Sequence, residues 1–310
     1  MRAILASLFF LVICAAAQSF SWHTLRPVVN ILPEQPVTGE QYEARLKTLQ
    51  KSSRLFYMKS FHNWFLNHVL ALHRGSRIVG GETAQLGQFP YQAAVNIDAG
   101  YFCGGSLISN NYVVTAGHCG VLGDSFTINL GSISPDKSES TRLVVRSTEP
   151  HVHEEYDPNT LYGDICLLKL SQSIEFNENI AAIALPSFSS DPPMYENTQV
   201  IASGWGKTSD GAGSISSTLQ YTPLTTITND ECAQFYGDTI SISQICARGD
   251  NYQSTCNGDS GGPLAAQDSG APLLIGVISF VSGNGCESGY PSGYTRVTTF
   301  RQWISNNSDA

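Results

Sequence analysis

From residue 78 onward the chain is a succession of short β-branched and apolar runs set between turn-forming residues. That texture constrains the fold more than any other feature. Tyr112-Val113-Val114, Arg142-Leu143-Val144-Val145, Ile165 to Leu170, Val200-Ile201 and Leu273 to Phe280 are strand-length, with Gly, Asn, Asp and Ser between them. Many short strands separated by turn signals predict an all-β sandwich or barrel. One helix is expected near the end, where Val297, Phe300, Trp303 and Ile304 fall on one helical face.

The first 77 residues have a different character. Arg2, the apolar run Ile4 to Cys14 and the small residues Ala15-Ala16-Ala17 predict a signal peptide over 1–17, hence secretion to the extracellular space. That apolar run is too short for a membrane anchor, and no later segment is long and apolar enough to span a bilayer. The segment 18–77 has no cysteine. Its Met58, Phe61, Phe65, Val69 and Leu72 recur at helical spacing, which predicts a partly helical piece with an apolar packing face. Charge divides at the same boundary. Residues 18–77 carry eight Lys/Arg against three Glu, and residues 78–310 carry eight Lys/Arg against 23 Asp/Glu. The acidic portion argues against nucleic acid as a partner.

Three short motifs carry chemistry. Gly258-Asp259-Ser260-Gly261-Gly262-Pro263 sets a serine hydroxyl among glycines that let backbone N–H groups approach a ligand. A nucleophile and an oxyanion hole are two parts of an acyl-transfer site. His118 follows the apolar run Tyr112-Val113-Val114 and adjoins Cys119. Asp164 opens the run Ile165 to Leu170, where a carboxylate is either a strand-start residue or one buried against an imidazole. Seven cysteines remain once Cys14 leaves with the signal, an odd number that leaves at least one thiol over.

Taken together, and in the order His, Asp, Ser, these motifs resemble the chymotrypsin family of serine endopeptidases. The texture is closest to arthropod chymotrypsin-like and brachyurin-like proteases. A fourth motif, Ile78-Val79-Gly80-Gly81 after Arg77, matches as well, and the resemblance spans about Ile78 to Ile304. It implies two six-stranded antiparallel β-barrels with a C-terminal α-helix, and the site in the cleft between them. It also implies a mechanism: Ser260 attacks, His118 carries its proton, Asp164 orients His118, and the N–H groups of Gly258 and Ser260 hold the oxyanion. Ser279 matches the serine that supports the buried aspartate. The implied disulfides are Cys103–Cys119, Cys232–Cys246 and Cys256–Cys286, with Cys166 left as a buried, inert thiol.

The resemblance also implies a zymogen. Cutting Arg77–Ile78 would free the Ile78 amine to pair with Asp259, a buried charge pair that neither partner can form alone. The expected organisation is a signal peptide at 1–17, a propeptide at 18–77 and a protease domain at 78–310. The propeptide, lacking cysteine, cannot stay disulfide-tethered; folding assistant, inhibitor and targeting segment are its three open roles. Ser254 lies at the floor of the implied substrate pocket, with Val281 and Ser292 on its walls, and none carries a charge. An apolar, chymotrypsin-like or elastase-like preference follows. Such a pocket does not suit cleavage after Arg77, so a separate trypsin-like protease is the expected activator. Protein and peptide substrates are the expected partners, with protein protease inhibitors as a further possibility, and a monomer is expected.

No metal or other cofactor is expected. His151 and His153 beside Glu154 and Glu155 are read as solvated loop residues, and Ser132 stands where the family's calcium loop begins with an acid. Asn306-Asn307-Ser308 is a glycosylation pattern in what reads as an exposed tail. The rival reading is a non-enzymatic relative that binds proteins. Such proteins usually lose a triad member, and this chain keeps all three.

Overall fold

The computed structural model describes residues 25–27, 79–98, 100–268 and 270–310. The helical stripe at 58–72, the signal sequence and the Arg77–Ile78 bond lie outside these residues. Two antiparallel barrels make up the fold, as the resemblance implies, with seven strands in the first rather than the expected six.

The first barrel is built from β3 (Gln92–Ile97), β4 (Tyr101–Leu107), β5 (Tyr112–Thr115), β6 (Phe126–Leu130), β7 (Leu143–Ser147), β8 (Glu149–Val152) and β9 (Cys166–Lys169). Their spatial order is β7-β6-β3-β4-β5-β9-β8. The second contains β10 (Gln199–Gly204), β11 (Gln220–Ile227), β12 (Gln244–Arg248), β13 (Pro263–Asp268), β14 (Ala271–Ser282) and β15 (Ser292–Arg296). It is ordered β14-β13-β10-β11-β12-β15, and β14 also pairs β15, which closes the ring. Closure removes the unpaired edges that an open sheet would expose. Two outlying strands join this sheet: β1 (Leu25–Pro27) on β14 and β2 (Glu82–Thr83) on β11.

Each barrel is filled by the apolar residues of its runs. Val95, Leu107, Val113, Ile128 and Leu167 are fully buried in the first, and Ala202, Ile245, Leu264, Ile275 and Ile278 in the second. Burying one such aliphatic side chain is worth roughly 1.5–3 kcal/mol. The barrels are joined by packing and by polar bonds. Trp205 meets Phe102 edge-on with ring centroids 6.1 Å apart, and the buried Ser203 hydroxyl donates to Gln92 Oε1 at 2.6 Å.

Three helices are described: α1 (Gly117–Gly120), α2 (Asn229–Tyr236) and α3 (Val297–Asn307). The last is the one expected from the sequence; it buries Val297, Phe300 and Ile304. The second corrects the expectation of a single helix near the end. Its signal is local rather than periodic: Thr228 caps the helix by accepting from the Glu231 N–H at 3.0 Å, and Asp230 and Glu231 fill the first turn. The glycosylation pattern also reads differently in three dimensions. Asn306 belongs to α3 rather than to a tail, its Oδ1 accepts from Gln302 at 2.8 Å, and Ser308 Oγ donates back to the Ile304 carbonyl at 2.7 Å.

Candidate active site

The strand pairing itself brings His118 and Asp164 together. β5 and β9 are antiparallel, with Thr115 opposite Cys166. His118 lies three residues past the end of β5 and Asp164 two before the start of β9, so both lie at the same end of this pair. The Asp164 carboxylate then grips the histidine twice. Oδ1 accepts from the His118 main-chain N–H at 2.7 Å, and Oδ2 lies 2.9 Å from the ring Nδ1. Both residues are buried. An Nδ1–H donated to this carboxylate fixes the tautomer that leaves Nε2 as a base. Nε2 is buried and has no hydrogen-bond partner.

The second barrel delivers the serine loop by the same logic. β13 starts at Pro263, opposite Val277 of β14. Upstream of Pro263 the loop stays tied to β14, since Gly261 N–H donates to the Ile278 carbonyl at 2.8 Å and Ile278 N–H to the Gly262 carbonyl at 2.9 Å. Ser279, the next residue on β14, donates to Asp164 Oδ2 at 2.6 Å. Thr295 on β15 donates to the Asp164 carbonyl at 2.7 Å. Asp164 of one barrel is thus held, at its carboxylate and its carbonyl, by hydroxyls of the other.

Ser260 is fixed against the first barrel. Its carbonyl accepts from Gly104 N–H at 2.7 Å. Gly104 follows Cys103, and Cys103 is disulfide-bonded to Cys119, the neighbour of His118. One short covalent path therefore connects the serine's anchor to the histidine's helix. The glycines are required by space. Gly261 has φ +80°, and a Cβ there would lie 2.1 Å from Thr115 Oγ1. Gly258 has φ +100°. In this loop the N–H groups of Asp259, Gly261 and Gly262 are committed to the carbonyls of Cys256, Ile278 and Asp259. None of those three is available to an oxyanion, and the expectation rests on Gly258 and Ser260.

The chain resembles known proteins. The trypsin family model, described as "Trypsin", matches residues 78–304. The chain belongs to the trypsin family. Its relatives include a protein described as collagenase from Hypoderma lineatum, 41% identical over 76% of this chain and 88% of that protein. Brachyurin from Leptuca pugilator is 38% identical over 73% of this chain and 96% of its own length. Trypsin-1 from Astacus astacus is 40% identical over 74% and 99%. A solved structure titled HL collagenase structure at 1.7 Å resolution superposes with a TM-score of 0.68 at 39% identity, over 75% of this chain and 99% of that one. As a member of the trypsin family the protein is a serine-type endopeptidase, a hydrolase acting on protein or peptide substrates.

Asp259 is bonded to main-chain amides rather than to the histidine. It is fully buried, with Oδ1 accepting from Gly206 N–H at 2.7 Å and Oδ2 from Cys256 N–H at 2.9 Å. Two amides do not offset the loss of water, and burial pushes its pKa up to about 7. The carboxylate fills a slot that glycines leave open, since a Cβ at Gly206 would lie 2.3 Å from Oδ2. Its expected partner, Ile78, lies outside the described residues, as does Arg77.

The residues assigned to the substrate pocket are all buried. Ser254 Oγ donates to the Thr255 carbonyl at 3.0 Å. Ser292, opposite Ala247 in the β12–β15 ladder, shares a 2.8 Å bond with the Tyr294 hydroxyl. Val281 packs with Val79 and the Cys256–Cys286 bridge. That bridge is steadied by Asp210, which accepts from Cys286 N–H at 2.7 Å and Glu287 N–H at 3.2 Å. Asp210, Thr295 and Gly104 escaped the sequence reading, because none stands within its four motifs.

The remaining cysteines pair as Cys232–Cys246, and Cys166 is a free, buried thiol whose pKa burial pushes up. Among the described residues, the two groupings with metal-ligand proximity each contain a disulfide, Cys103–Cys119 or Cys256–Cys286, whose sulfurs are already bonded. His151 pairs with Glu154 at 2.8 Å, whose other oxygen accepts from Trp303 Nε1 at 2.8 Å, and His153 meets Phe300 edge-on and Trp303 at a tilt. Ser132 donates to the Ser134 carbonyl at 2.7 Å. No helix among the described residues is long and apolar enough to cross a membrane.

Proposed function

We propose that this chain is the secreted precursor of an endopeptidase that cuts after uncharged, apolar side chains through an acyl-enzyme intermediate. In this reading 1–17 is a signal peptide, 18–77 a propeptide and 78–310 the enzyme. A trypsin-like protease cuts Arg77–Ile78, and the new amine pairs with Asp259. Ser260 then attacks the substrate carbonyl while His118 Nε2 takes its proton. The tetrahedral oxyanion accepts from the Gly258 and Ser260 amides. His118, held as an imidazolium by Asp164, returns the proton to the leaving amine, and water repeats the sequence on the acyl-enzyme.

The observation that supports this reading most is the His118 ring, with Nδ1 against a buried carboxylate and Nε2 buried without a partner. A histidine serving only the core would ordinarily pair both ring nitrogens. The specificity rests on Ser254 and Ser292, whose hydroxyls offer no fixed negative charge to a Lys or Arg side chain. Val281 narrows the pocket, which favours small or medium apolar groups. The names collagenase and brachyurin belong to relatives; nothing in the pocket adds collagen as a substrate here.

The test is to activate the precursor with trypsin, block the trypsin selectively, and profile cleavage with a peptide library. An organophosphonate should label Ser260 only after activation. Labelling of the uncut precursor at the same rate, or a preference for Lys or Arg, would overturn the reading.

A further inference from the structure

Of the described residues, Leu25–Pro27 alone precede Val79, and they form a strand. This strand, β1, runs antiparallel to β14 with Leu25 opposite Ser282, Arg26 opposite Val281 and Pro27 opposite Phe280. The location is specific. β14 leaves β13 after Val277, and its last partner on β15 faces Phe280. Beyond that point Val281 and Ser282 pair with β1 alone. This free edge begins one residue past Ser279, whose hydroxyl holds Asp164, and includes Val281 of the proposed pocket.

An exposed strand edge is a template for an extended peptide, bound by main-chain hydrogen bonds with side chains reaching alternate pockets. An endopeptidase has to hold its substrate extended if the scissile carbonyl is to reach the nucleophile. The edge continuing from Ser279 is therefore the natural rail for the acyl side of a substrate. Leu25–Pro27 already lie on it.

We propose that the stretch around Arg26 is a built-in competitive inhibitor of this enzyme, holding the substrate rail before activation and still able to bind it after release. The proposal rests on the acyl-enzyme reading above. Two features support it. In an antiparallel ladder alternate residues exchange both main-chain bonds with the partner, and Pro27 has no N–H to give. Arg26, opposite Val281, is the residue suited to the two-bond position, and Pro27 falls where no donor is required. Second, between Gln18 and Arg45 the sole Lys or Arg is Arg26, and Pro27 follows it. A proline on the leaving side is poorly accepted by trypsin-like enzymes, so an activator of that class releases this stretch in one piece.

The full-length precursor and its Arg26→Pro variant are each cut with trypsin, the trypsin is inhibited, and hydrolysis of a small peptide substrate is followed before and after gel filtration in high salt. For the wild-type chain, with the released segment at about ten times its inhibition constant, its removal should lower the apparent KM about tenfold at unchanged kcat. The Arg26→Pro chain should show the lower KM from the start. After filtration the two should be identical, which establishes that the substitution leaves the enzyme intact. Adding back a synthetic Gln18–Arg45 peptide should restore the higher KM. An apparent KM that filtration does not change, equal inhibition by both chains, an effect on kcat alone, or rapid cleavage of the peptide beside Pro27 would overturn the proposal. Failure of the underlying reading looks different: no hydrolysis and no labelling of Ser260 in any fraction.

Discussion

The buried carboxylate of Asp259 makes a quantitative demand on the uncut chain. With Arg77 and Ile78 still joined there is no α-amino group for it to meet, and its raised pKa of about 7 records the cost of ionising it where only two amides face it. An unfolded chain would ionise it at its ordinary value of 3.8. The sign follows from proton binding. Between those values the folded state holds the proton and the unfolded state has lost it, so stability falls as pH rises from about 4 to about 7. Each tenfold change in the ionisation constant is worth about 1.36 kcal/mol, so the full loss is about 4 kcal/mol, and about 3 kcal/mol of it falls between pH ~4.5 and pH ~8. The measurement is urea unfolding of the precursor against Asp259→Asn at those two pH values, with Ser260→Ala in both to prevent self-digestion. Taking the difference between the two chains removes the other titrating groups. Wild type should lose about 3 kcal/mol relative to Asn on going to the higher pH. After cleavage at Arg77–Ile78 the amine neutralises the carboxylate, so this loss should shrink or reverse. A pH-independent difference between the uncut chains, or one that cleavage leaves unchanged, would refute both the burial argument and the switch.

The other predictions concern single groups. Ser279→Ala removes a 2.6 Å donor from Asp164 Oδ2. Losing a bond to a charged group costs about 1.5–3 kcal/mol, so kcat should fall roughly ten- to a hundredfold with little change in KM; an unaltered kcat would remove Ser279 from the positioning of Asp164. Ser254→Asp places a carboxylate at the proposed pocket floor and should raise kcat/KM for Lys and Arg substrates relative to apolar ones. A library profile that does not shift would move the floor to another residue. Cys166 is fully buried, with its thiol pKa pushed up, so an alkylating reagent should leave it untouched in native protein and label it on unfolding. Labelling at the rate of an exposed thiol would contradict its burial.

The sequence was legible where chemistry forces local composition. The glycines around Ser260 had to be there, because at Gly261 the backbone comes so close to Thr115 that no side chain fits. His118 and Asp164 each flank an apolar strand, and the strands were readable from their β-branched runs. What local pattern could not supply was the pairing of those strands. Asp164 is a strand-start residue and a buried partner at once, and only the β5–β9 register decides that both descriptions hold. The supports are harder still. Thr295, Asp210 and Gly104 act through hydrogen bonds across separations of up to 156 residues, the distance along the chain between Gly104 and Ser260, and hydrogen bonds at that range leave no periodicity behind. The helix α2 is the opposite case: its capping threonine and first-turn acids stand plainly in the sequence, whereas periodicity is a weak signal over only eight residues.

The same contrast bears on the proposal that activation works through Asp259 rather than through His118 and Asp164. Asp164 is held by a main-chain N–H, the histidine ring and a serine hydroxyl, all supplied by residues on the enzyme side of the cut. Cleavage far from these groups has nothing to add to them. Asp259 is the buried carboxylate of this loop that lacks a cation among the described residues, and it sits between the proposed oxyanion residues Gly258 and Ser260 on the same three-residue stretch. In the proposed mechanism a charge arriving there acts directly on those two amides, while the His118–Asp164 pair is already held. The precursor would then be inactive in oxyanion binding and not in proton transfer. Uncut precursor should accordingly react slowly with an organophosphonate, whose phosphoryl oxygen needs those amides as charge develops on it. Equal rates before and after cleavage would place the switch elsewhere.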